Sequence, residues 1–73
     1  MIRHGFILGD KGKWVNLSTI RYFYVDWTYI EKIDDPIFMV KADSIEYNTW
    51  IIQSGFKTEE EAQDFLDNLM EGR

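Results

Sequence analysis

A single histidine, His4, and the absence of cysteine leave this 73-residue chain with few side chains that do acid–base, nucleophilic or metal chemistry. Two-histidine and thiolate–zinc sites are excluded, and a serine–histidine pair would have to rest on His4 alone. His4 is close to the chain start and reads as a solvated or strand-edge side chain. Asp34 and Asp35 are adjacent and precede Pro36, which marks a turn and not an acid/base couple. Asp10, Asp26 and Asp43 stand alone. Gly9-Asp10-Lys11-Gly12 has the glycines of a phosphate cradle, but no Gly-Lys-Ser/Thr or helix start follows. It reads as a hairpin turn whose two glycines are free to take positive φ. These residues define no catalytic set, no cofactor motif and no metal site, so the expectation is a protein that binds and does not catalyse.

Two constellations suit binding. Ile20 to Trp27 (IRYFYVDW) has the β-branched and aromatic composition of a strand, with no fully polar face. Simple alternation points Ile20, Tyr22 and Tyr24 one way and Phe23, Val25 and Trp27 the other. A strand apolar on both faces must be covered twice, curl sharply, or meet another chain. The expected interface is an aromatic sheet face around Tyr22, Tyr24, Trp27 and Trp50, and the expected partner is a second copy in a homodimer. The second constellation is a ridge of four acids, Glu60, Asp64, Asp67 and Glu71, at helical spacing. Such a ridge can imitate a line of phosphates and occupy a basic groove on another protein, as an acidic phage-type inhibitor would. Trp14, Trp27 and Trp50 could also stack bases or line a small-molecule site, but base stacking normally comes with a positive groove. Packing in the core or at an interface is the simpler use of them.

Charge distribution bears on both constellations. The net charge is −5. Residues 1–57 carry seven Lys/Arg and seven Asp/Glu, whereas residues 58–73 carry six acids and Arg73. The acidity therefore belongs to the C-terminal segment, and the neutral body lacks the gathered Lys and Arg of a surface that binds nucleic acid directly. No run of about 18 apolar residues is present to span a membrane. Phe6, Ile7 and Leu8 are too soon followed by Gly9 and Asp10 to form a secretory core, which places the expectation in the cytoplasm.

The chain has the length of one domain spanning 1–73. Without cysteine, stability has to come from a dense aromatic core or from self-association; twelve of 73 residues are Phe, Trp or Tyr, which suits either. Expected strands are Ile2–Leu8, Lys13–Asn16, Ile20–Trp27, Ile37–Asp43 and Tyr47–Gln53, with Thr28 to Pro36 undetermined and a one-turn connection over Asn16–Thr19. Thr58 to Glu71 carries the strongest local signals. Thr58 is an N-cap with Glu61 closing a capping box, three glutamates meet the positive helix end, and Gly72 ends the segment. Ala62, Phe65, Leu66, Leu69 and Met70 form its apolar stripe. Short connections favour antiparallel neighbours. The expected fold is α+β: a curved antiparallel β-meander of about five strands with one C-terminal helix packed on it. Five strands span roughly 20–25 Å, while a fourteen-residue helix is about 21 Å long and 10 Å across, so the helix leaves sheet surface uncovered.

Trp14-Val15-Asn16-Leu17-Ser18-Thr19-Ile20, and Gly55-Phe56-Lys57-Thr58-Glu59-Glu60-Glu61-Ala62 followed by Leu66 and Leu69, together resemble a class of short uncharacterised proteins of bacteria, phages and mobile elements. Their pattern is W-V-N-L-x-x-I, a β-meander, then G-F-x-T-E-E-E-A leading a final helix, and the likeness spans residues 13–70. The resemblance implies a fold and a bacterial or phage setting; it implies no activity and no functional residues.

Overall fold

The apolar run at the start of the chain folds back on itself, because His4 (φ 51°) and Gly5 (φ 81°) both take the left-handed conformation of a two-residue hairpin turn. A computed structural model describes residues 2–29 and 35–71. In place of one strand over Ile2–Leu8 it has β1 (Ile2–Arg3) and β2 (Phe6–Leu8), with Arg3 opposite Phe6. The chain returns through a 3-10 turn at Asp10–Gly12 into β3 (Trp14–Asn16), which pairs antiparallel with β2. Positive φ in this turn falls on Lys11 and Gly12, not on both glycines. Gly9 is extended; it is small because a Cβ there would lie 3.3 Å from the Ile51 carbonyl oxygen.

Asn16 then turns the chain a corner. Its side chain accepts from the Ser18 amide at 3.0 Å and the Ser18 hydroxyl at 2.9 Å, shaping the expected one-turn connection, Leu17–Thr19. Beyond it lie β4 (Ile20–Thr28), β5 (Ile37–Ser44) and β6 (Thr49–Phe56), a second antiparallel sheet in the order β4-β5-β6. The architecture is α+β, as expected, but its six strands form two three-stranded sheets, not one five-stranded meander. The corner at Asn16 separates them, and β1 to β3, of two or three residues each, do not continue the larger sheet. Within Thr28 to Pro36, Thr28 closes β4 and Ile30 to Asp34 lie outside the described residues, as does Gly72. The expected last strand starts later, at Thr49, and runs on through Gly55, whose φ of 88° accommodates an irregularity opposite β5.

Ser44 builds the β5–β6 turn. It is buried, and its hydroxyl accepts from the amides of Glu46 and Asn48 at 3.2 and 3.1 Å. α1 (Glu59–Glu71) follows. The Thr58 hydroxyl accepts from the Glu61 amide at 3.1 Å, as an N-cap does. The reciprocal bond goes one residue further back than in a capping box, from the Lys57 amide to the Glu61 carboxylate at 3.2 Å.

One core holds these elements together. Ala62, Leu66 and Leu69 of α1 meet Val40, Ala42 and Ile52 of the larger sheet, and Ile7 and Val15 of the small sheet close the side. Phe56 stacks tilted on Phe65 at 5.4 Å, fastening the middle of α1 to the end of β6. α1 lies on β5 and β4 and only touches β6. Fully buried Ile52 touches both sheets' contributions to this core, whereas Thr58 serves only its own helix end. Ile52→Ala should therefore cost about 2–5 kcal/mol, and Thr58→Ala about 1 kcal/mol. Urea unfolding checks both, with the midpoint moving and the slope unchanged.

Candidate interaction surface

An extra residue in β4 decides which aromatic side chains face solvent. Ile20 pairs with Ser44 and Tyr22 with Asp43, so Arg21 is bulged out of register. The bulge returns Ile20 to the helix side, where it packs on the core with Phe23 and Val25. Simple alternation had placed Ile20 with Tyr22 and Tyr24, and the inserted residue reverses that. From Tyr22 on, alternation resumes: Tyr22, Tyr24 and Asp26 take the outer face and Phe23, Val25 and Trp27 the helix side.

The four residues expected to form one aromatic face are consequently divided. Tyr22 and Tyr24 share the outer face with ring centroids 5.7 Å apart. Trp50 is cross-strand from buried Ala42 and packs against the core. Trp27 is on the helix side at the far end of the β4–β5 hairpin, 55% exposed, with its ring edge-on to Tyr29 at 5.3 Å. Trp14 is elsewhere again, exposed with Phe6 on the small sheet and neighbouring Arg3 and His4. The tryptophans therefore occupy three different surfaces.

Around Tyr22 and Tyr24 the outer face carries a polar network that composition alone does not reveal. The Tyr24 hydroxyl donates to Asp43 at 3.1 Å, and the Thr49 hydroxyl donates to the same oxygen at 2.9 Å. The Lys41 ammonium meets Asp26 at 2.8 Å, the one ion pair among the described residues. The Arg21 guanidinium lies over two rings, 5.4 Å from Tyr22 and 5.8 Å from Tyr47. Tyr47 is 87% exposed and holds a φ of 65°, an uncommon conformation for an aromatic residue. Arg21, Tyr47, Asp43 and Thr49 escaped sequence reasoning because they come from three separate strand ends and a turn, joined only by register.

This arrangement shifts ionisation. Partial burial and the bond to Asp43 raise the Tyr24 hydroxyl above its ordinary value. The Lys41 ammonium, helped by the Trp27 amide, lowers Asp26. Partial burial disfavours charge on Asp43, but the hydroxyls of Thr49, Tyr22 and Tyr24 and the Arg21 charge outweigh it, and the net shift is downward. The outer face thus presents aromatic rings, a guanidinium over two of them and carboxylates held by hydrogen bonds.

The acidic ridge is real as geometry: Glu60, Asp64, Asp67 and Glu71 are all exposed on α1. Asp67 accepts from the Gln63 amide at 3.0 Å, and among the described residues none of the four is in an ion pair. Between α1 and the free edge of β4 runs a groove of about 410 Å³, with Ile20, Phe23, Leu66 and Met70 among its walls and Arg21 and Asp67 at its polar side. Among the described residues no three His, Asp or Glu side chains converge as a metal site, and no helix is long and apolar enough to cross a membrane. No protein-family model, curated protein or solved structure matches the chain.

The signs of these shifts set a pH dependence. Lowered carboxylates stabilise the fold above their unfolded value of 3.8 and lose that contribution as pH falls through their folded values. A raised phenol stabilises it below 10.0 and loses that contribution as pH climbs through its folded value. Thermal melts across pH should show the destabilisation by Asp43→Asn shrinking on the acid side, and that by Tyr24→Phe shrinking on the alkaline side.

Proposed function

We propose that this chain is a non-enzymatic protein-interaction module of a bacterium or phage, working in the cytoplasm and associating with itself through the β4 side of its larger sheet. The observation that carries this reading is the imbalance between core and surface. Among the described residues nine hydrophobic ones are buried, while Phe6, Trp14, Tyr22, Trp27, Tyr29, Ile45, Tyr47 and Ile51 are large and exposed. Scattered single exposures are ordinary, but the aromatic cluster of Tyr22, Tyr24 and Tyr47 and the Trp27–Tyr29 pair both adjoin β4, which among the described residues has a partner strand on one side only. Aromatic rings with an adjacent arginine are the side chains that anchor protein interfaces. Sedimentation equilibrium on the wild-type chain should give the mass of a dimer at micromolar concentration; a strict monomer at high micromolar concentration would falsify the reading.

The solvated, unpaired acids of α1 support a second reading, in which Glu60, Asp64, Asp67 and Glu71 engage the basic surface of another protein. Affinity for such a partner should fall steeply with added salt. It should also be lost in Glu60→Gln/Asp64→Asn/Asp67→Asn, while self-association through the sheet persists. Titration at low and high salt, with and without the triple variant, separates the two readings.

A further inference from the structure

The free edge of β4 has a narrow window open for pairing. The Trp27 amide is already taken, donating to the Asp26 side chain at 2.8 Å, so it points away from β5. In an antiparallel pair, alternate residues turn both backbone groups to the same side, so Val25 and Phe23 face outward with Trp27. Towards the other end the Arg21 bulge breaks the regular edge. Phe23 and Val25 remain, one on each side of Tyr24.

We propose that a second copy of this chain pairs antiparallel with β4 about a two-fold axis at Tyr24, joining two three-stranded sheets into one of six, and that Trp27 of each copy fills the groove between β4 and α1 of the other. This inference rests on the self-association reading and specifies its geometry. The two-fold places Phe23 opposite Val25 of the second copy and Val25 opposite its Phe23, so both open amides are used reciprocally. The same register brings Trp27 opposite Arg21 of the second copy. Trp27 projects on the helix side, the side on which the groove lies, with Ile20, Phe23, Leu66 and Met70 to receive its ring. Knob and hole are thus two parts of one surface, as a closed symmetric dimer requires.

The chain has no cysteine, so single cysteines report the register cleanly. In the proposed dimer the two Tyr24 positions form a non-hydrogen-bonded pair with Cα atoms about 4.5 Å apart, inside the range a disulfide spans. Tyr24→Cys should give a covalent dimer on mild oxidation. Asp26→Cys should not, because that position faces Tyr22 of the second copy. Trp27→Ala should weaken the dimer at least about 30-fold, the factor a buried aromatic anchor commands, with an unchanged circular dichroism spectrum. A wild-type dimer with equal cross-linking at both positions, or with none at Tyr24→Cys, overturns the register and leaves self-association standing. A Trp27→Ala dimer as tight as wild type overturns the anchor. A wild-type monomer at high micromolar concentration, including one that takes up an extended peptide at β4 instead, overturns the second copy as occupant and the self-association reading with it.

Discussion

Everything in this fold depends on α1 closing a core that no single sheet could close. Val40 and Ala42 of the central strand and Ile52 of β6 supply the floor, Ala62, Leu66 and Leu69 the roof, and Ile7 and Val15 the remaining wall. A thirteen-residue helix is about 20 Å long, enough to shield the middle of a three-stranded sheet and no more. The helix favours β5 and β4, and the small sheet fills the space beside β6. That division explains the tight approach of Gly9 to the Ile51 carbonyl, where the small sheet's turn meets β6.

The same geometry determines what stays outside. Phe56 is fastened to Phe65, so the hairpin end of the sheet is covered at β6 and open at β4, where Trp27 stands in the same cross-strand row through Phe38. The outer face has no covering layer among the described residues and is made tolerable to water by pairing its charges: Lys41 with Asp26, and Asp43 with two hydroxyls. Such pairing on a half-exposed surface adds little to stability. It orders the surface instead, tying Tyr24 and Thr49 to one carboxylate oxygen of Asp43. A surface ordered in this way loses less entropy on meeting a partner than a mobile one does.

Edge strands invite uncontrolled pairing, and β4 is controlled at both ends. The Asp26 side chain occupies one outward amide and the Arg21 bulge bends the other end away. What remains open is short enough to specify one register. The features that limit aggregation and those that would select a partner are therefore the same few residues.

The amino-acid sequence by itself determined the elements whose signals are local. The α1 stripe, the Thr58 cap, the Asn16 turn and the composition of β4 depend on neighbours within four residues, and each is present in the structure. So did the α+β class, since the short connections left few antiparallel alternatives. Tertiary structure decided the rest. A single inserted residue, Arg21, reversed the facing of Ile20, and nothing in the identities of Ile20 to Trp27 marks where the register slips. The split of Ile2–Leu8 was hinted at by Gly5, but a glycine in an apolar run does not say whether it bulges or turns. Tyr22, Tyr24, Trp27 and Trp50 looked like one surface because aromatic residues score alike. Their separation came from pairing partners up to about twenty residues away, and side-chain alternation carries no information about which strand lies under the helix.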